Sequence, residues 1–227
     1  MKTTLSIILT VLTVTTLLGQ NPTNSGNLAD GFKIMRSESK GTPFLTEDWH
    51  VGYGILPDGK TTRPQQMNYD VHGNNLVYKI AGSDQVLKLL DNSLTGFIIK
   101  SKEKDLLFAK IGGEEFEKQK DETKYYQIVQ APSRAVLIEY VKELEDPNAS
   151  GWTSSQSNTL ASEYKMKTDY YVLNKNGKYE DVKLKNRSVL KVFKDKKKKI
   201  EAYLESNGLE IETPEDLLQV SEYYQTL

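Results

Sequence analysis

The chain contains no cysteine. That absence excludes disulfide scaffolds, thiol nucleophiles, cysteine-type zinc sites and iron–sulfur clusters. Histidine is almost as scarce, with only His50 and His72, which leaves little material for metal or triad chemistry. Neither sign of charge dominates, since 30 basic residues stand against 31 acidic ones. A polybasic nucleic-acid binder and a polyacidic tail protein are both excluded on that balance. No nucleophile elbow, phosphate-binding glycine loop or dinucleotide fingerprint occurs, and no cofactor is expected.

What remains is a chain of 227 residues with 37% apolar side chains. That length suits one compact domain, or one domain with a small appendage, at roughly 100–200 residues per domain. The single long apolar run covers residues 5–18, after Lys2 and before Gly19, Gln20, Asn21 and Pro22. A basic start, an uncharged apolar stretch and a small residue at the cut make a secretory signal peptide, cleaved near Gly19. The run falls short of the roughly 20 apolar residues that a spanning helix needs. The expected product is periplasmic or secreted, soluble and not membrane-spanning, with a flexible leader over residues 20–40.

From Asp48 onward the pattern has period two, the mark of half-buried strands. Met67, Tyr69 and Val71 alternate with Asn68 and Asp70; a turn at His72–Asn75 precedes Leu76, Tyr78 and Ile80. Further strands are expected at 86–90, 97–99, 106–111 and 125–129, then around Val136–Leu144 and Tyr164–Val172. Asn176-Gly177 reads as a type I′ hairpin turn, because both central positions need positive φ. Residues 146–159 form a polar loop carrying Trp152. At Ser188 the period becomes helical, with a stop at Asn207-Gly208 and a second start at Thr213-Pro214-Glu215-Asp216. The expected fold is mainly β (α+β): a twisted or partly closed antiparallel meander of about eight or nine strands over 41–186. Two C-terminal helices over 187–227 cover it.

Three groups of residues are candidates for function. Asp48, His50 and His72 are the weak set for a metal or for acid–base chemistry, if the fold brings them together. Trp49, Tyr53 and Trp152 are the aromatics for a ligand groove, among 13 tyrosines and two tryptophans. Lys194 and Lys196–Lys199 form a basic run, and the acids Glu210, Glu212, Glu215, Asp216 and Glu222 follow it. Two helices packed as a hairpin would set these charges side by side.

Phe44-Leu45 with Trp49 and Gly52, the strand Met67-Asn68-Tyr69-Asp70, the helix at 188–204 and Glu215-Asp216-Leu217-Leu218 before a Tyr-Tyr pair together carry a resemblance. They resemble an uncharacterised family of small secreted or periplasmic proteins of Bacteroidota with a signal peptide, β-rich body and C-terminal helices. The resemblance covers most of residues 41–227 and implies a Gram-negative envelope setting. It carries over no catalytic residues, and the loop around Trp152 departs from its pattern. The leading expectation is a non-enzymatic envelope protein that binds a protein or cell-surface component through its sheet. Two alternatives stand beside it: a carrier holding a lipid or other apolar small ligand in a curved-sheet pocket, and a hydrolase using Asp48, His50 or His72.

Overall fold

The computed structural model describes residues 39–80, 82–83, 85–89, 94–146 and 161–227. The expected signal peptide, residues 20–38 of the leader and Trp152 with its loop lie outside them. Ten strands form: β1 (His50–Ile55), β2 (Gln65–Asp70), β3 (Asn75–Lys79), β4 (Val86–Lys88), β5 (Gly96–Ile99), β6 (Leu106–Ile111), β7 (Lys124–Gln130), β8 (Ser133–Glu145), β9 (Glu163–Leu173) and β10 (Tyr179–Val182). They make one open antiparallel sheet in the order β10-β9-β8-β7-β6-β5-β1-β2-β3-β4. The chain therefore meanders throughout, except that β5 returns to the far side of β1.

One face of this sheet carries two packed groups, buried in two different ways. Met67, Tyr69, Leu76, Phe97, Phe108 and Tyr125 pack together on it. Tyr69 of β2 lies 6.0 Å from Tyr125 of β7, although β1, β5 and β6 separate those strands. The sheet therefore rolls towards this face and fills the roll with its own rings; Phe97 stacks on Phe108 at 4.6 Å. Further along the same face, Val136, Ile138 and Val172 pack against Val189, Phe193 and Leu217 of the C-terminal helices. Tyr140 touches both packed groups and donates a 2.7 Å hydrogen bond to the buried Gln127.

Among the described residues the C-terminal helices number three, where the periodicity predicts two: α1 (Asn186–Val192), α2 (Lys197–Asn207) and α3 (Pro214–Gln225). The expected helix over 188–204 breaks at Phe193, whose ψ of 33° leaves the helical range, and a 3₁₀ turn follows at Lys194–Lys196. Like charges three and four residues apart disfavour a continuous helix there. The break also lets Phe193 stack on Tyr224 at 3.9 Å, while Tyr224 donates to Asp195 at 3.0 Å. The two ends read from sequence hold. Gly208 closes α2 in the left-handed region, and Thr213 with Asp216 makes a reciprocal capping box on α3. The expected pairing of lysine run with acidic tail gives way to other partners. Glu215 bonds Lys104 at 2.8 Å, and Lys196 reaches the carbonyl of Leu227.

Two local readings change. The β9–β10 hairpin forms, but only Gly177 has positive φ, so the turn is not type I′. Asn174 holds it instead, its side-chain oxygen accepting from the amides of Asn176 and Lys178. Asn68 does not face water: it has no exposed surface. The chain bulges at Thr46–Asp48 between the Phe44–Asp70 bridge and β1. The Asn68 amide fills that bulge, donating to the carbonyls of Thr46 at 2.8 Å and Asp48 at 3.0 Å.

Candidate binding surface and a caged lysine

On β1, Val51 and Tyr53 point to the face that the roll leaves outside, and Gly52 and Gly54 face inward. A Cβ on Gly52 would meet the Met67 sulfur at 2.4 Å, and one on Gly54 would meet Leu94 at 2.7 Å. The glycines let those core side chains lie across the middle of the strand, where Val51 and Tyr53 carry side chains on the outward face alone. Beside Val51 runs an open groove of about 750 Å³, also lined by Gln65, Gln66, Tyr78, Lys79 and Ile80. Val51 and Ile80 are each 40% exposed, unusual for such side chains. Trp49 flanks the groove. The Lys79 ammonium lies 5.0 Å from its ring, and Phe44 meets it edge-on at 5.5 Å.

The structure thus puts Trp49 and Tyr53 along the outer side of one segment, with Trp49 in contact with a groove residue. Tyr53 pairs with Ile98 on β5, away from the groove lining. Trp152 lies outside the described residues. Asp48 sits in the bulge and offers its carbonyl to Asn68. His50 opens β1 opposite Met67. His72 lies in the β2–β3 turn, its Nδ1 2.9 Å from the Lys142 carbonyl and its ring edge-on to Tyr164. Among the described residues, no group of three or more His, Asp or Glu is placed to hold a metal ion.

A second constellation escaped the sequence reading. The β6–β7 connection carries a 3₁₀ turn at Gly113–Glu115 and folds over the outer face of the sheet. Phe116 bridges to Tyr179, and the Glu117 amide donates to the Tyr179 carbonyl, which covers the β10 edge. From the same connection Lys120 reaches Glu139 on β8 at 2.5 Å. Its ammonium also lies 3.1 Å from the Tyr126 hydroxyl and 2.9 Å from that of Tyr171. Tyr171 donates to Glu139 at 2.7 Å, and Lys124 stands 3.7 Å away. Three rings face the cation: Tyr171 at 4.2 Å, Phe116 at 4.4 Å and Tyr126 at 5.1 Å.

The electrostatics follow from this enclosure. Burial by itself raises the Glu139 carboxyl, but hydrogen bonds from Lys120 and Tyr171 and the charges of Lys120 and Lys124 outweigh it. Glu139 is therefore held below the usual carboxylate range. Burial, then the bond to Glu139, pushes the Tyr171 hydroxyl up, so it stays a donor at any physiological pH. The clue in the sequence was the pairs Tyr125-Tyr126 and Tyr170-Tyr171, which put one ring on each face. The outward members became cage walls, but the partner of those walls depends on a loop that no periodicity describes. No protein-family model, curated protein or solved structure matches the chain.

Proposed function

We propose that the protein is exported after cleavage near Gly19 and acts as a non-enzymatic envelope protein, binding a protein or cell-surface component on the outer face of β1–β3. The observation that carries this reading is the groove itself: Val51 lies exposed on the outer face beside Trp49, and Ile80 lies exposed just past the end of β3. Exposed apolar side chains grouped in a groove with a flanking indole are the usual makings of a contact surface. The inward face supports the same choice over a carrier, because its own rings fill it; Phe97, Ile99 and Phe108 have no exposed surface. Export is read from residues 2–22, and no described helix is long and apolar enough to cross a membrane.

The test is cross-linking mass spectrometry in the native cell envelope, comparing wild type with Val51→Glu, Ile80→Glu and, as a control, Lys191→Glu on the exposed side of α1, which packs beside β10. The expected result is a partner whose cross-links map beside Trp49 and vanish with the groove variants alone. Cross-links indifferent to all three substitutions would overturn the surface. Intact mass checks the rest: a mature chain that retains residues 1–19 would overturn export.

A further inference from the structure

The groove beside Val51 holds an unneutralised charge among its apolar walls. Among the described residues that line it, Lys79 alone is charged. Lysines nearby have carboxylate partners. Lys60 bonds Asp58 at 2.8 Å, and Lys100, whose amide donates to the Val51 carbonyl, pairs with Asp105. Lys79 has neither an ion pair nor a hydrogen bond among the described residues. The Trp49 ring, 5.0 Å away, flanks the ammonium. A ring face attracts a cation without offering it an anionic oxygen.

Strand register sets what stands beside this cation. Val51 pairs with Gln66, and Met67 pairs with Tyr78, so the next pair along is Gln66 with Lys79. Val51, Gln66 and Lys79 therefore form a row across β1, β2 and β3 on the outer face. At ordinary strand spacing the row is about 10 Å from end to end. It offers an apolar contact, then a side-chain amide that both donates and accepts, then an ammonium. Gln66 is exposed, and its side-chain amide bonds no described residue. An alkyl chain laid across the row would leave that amide unpaired, whereas a peptide group satisfies it. In an extended peptide, side chains two residues apart share one side and stand about 7 Å apart. The reach of a lysine and of an acidic side chain spans the rest. Resting on the reading of this face as a contact surface, we propose that the groove takes an extended segment of a partner protein in which an aliphatic residue and a Glu or Asp stand two positions apart. The aliphatic side chain lies against Val51, a peptide group bonds Gln66, and the carboxylate takes the Lys79 ammonium.

The test is cross-linking mass spectrometry in the native cell envelope with Lys79→Gln and Lys79→Glu, counting cross-links anchored away from Lys79. Lys191→Glu makes the same change of net charge on α1 and serves as the control. The expected partner segment carries an acid two residues from an aliphatic side chain. Lys79→Gln should lower its yield by about two- to fivefold and Lys79→Glu by more, while Lys191→Glu leaves it unchanged. Replacing that acid by lysine in the partner should restore the yield with Lys79→Glu and lower it with wild type. Absence of any cross-link beside Trp49 would remove the contact surface and the proposal together. Cross-links that Val51→Glu abolishes but both Lys79 variants leave at wild-type yield overturn the proposal and keep the surface. A cross-linked lipid, or a partner segment without an acid, does the same. Urea unfolding checks that the variants fold; should Lys79→Glu fail, Lys79→Gln decides.

Discussion

Asn68 and Glu139 are both buried polar groups with every partner supplied from within the chain, and their removal should differ in kind. The Asn68 amide satisfies the Thr46 and Asp48 carbonyls, and its oxygen accepts from the Tyr69 amide at 2.9 Å. Asn68→Ala leaves those backbone groups without that partner in a part-buried bulge, at a cost of about 1–3 kcal/mol. Urea unfolding measures this, and a loss under about 1 kcal/mol would mean that water enters and the bulge is not fixed by Asn68. Glu139 is different because its contribution depends on pH. Its folded value lies below its ordinary 4.5, so the folded state holds the carboxylate charged where the unfolded chain would protonate it. The stability that Glu139 adds is fully present above about pH 4.5 and is lost as pH falls through the folded value. Glu139→Gln should therefore be less stable than wild type at pH 7 by about 2–4 kcal/mol, with the gap closing below pH 4.5. A gap that is constant from pH 7 to 3 would show that the ion pair adds no pH-dependent stability.

At the scale of elements, the parts that could be read from sequence are those whose cause is local. The start of α3 is one: Thr213 accepts from the Asp216 amide at 3.2 Å, and Asp216 accepts from the Thr213 amide at 2.8 Å. Thr213→Ala should cost about 1 kcal/mol and Thr213→Ser almost nothing, measured as a shift in the urea midpoint. Equal losses in the two variants would show that the methyl group, not the hydroxyl, matters. The alternation in β7 and the glycine after α2 were legible for the same reason, since each depends on neighbours a few residues away. Other features depend on partners distant in sequence. Phe193 leaves the helix to meet Tyr224, and Asn68 turns inward because a bulge in another segment needs its amide. Lys120 meets Glu139 only once β7 and β8 are paired. Of the candidate site, Trp49 and Tyr53 were legible as aromatics in a period-two segment, but the exposed Val51 between them was not. The groove beside them was not, because it depends on how β3 and its turn lie against β2.

For the whole molecule, the two ways of burying one sheet face imply two regions of different stability. Helices back β7–β10, whereas the roll of β1–β5 is closed by a few side chains. Asn74 is central to that closure. Its oxygen accepts from the Tyr69 hydroxyl at 2.9 Å and from the Tyr125 amide at 3.4 Å, and its nitrogen donates to the Thr123 carbonyl at 3.2 Å. His72 adds its contact to the Lys142 carbonyl, and Lys142 donates to the carbonyls of Thr42 and Phe44. Asn74 also has φ of +51°, so its backbone and its side chain must be tested apart. Glycine keeps the backbone conformation and removes only the bridge; alanine removes both. Asn74→Gly should then raise hydrogen exchange in β2 and β3, while β8 and β9, with the helices against them, keep their protection. Asn74→Ala should show the same pattern with a further loss of about 1 kcal/mol from the left-handed φ. Uniform loss of protection across all ten strands in Asn74→Gly would contradict two regions and make the sheet one cooperative unit. The exchange map also bears on the groove, since Val51, Gln66 and Lys79 lie on the strands expected to open first. A partner bound there should restore protection to β1–β3 more than to β7–β10, because ligand binding stabilises most where the free protein opens most easily.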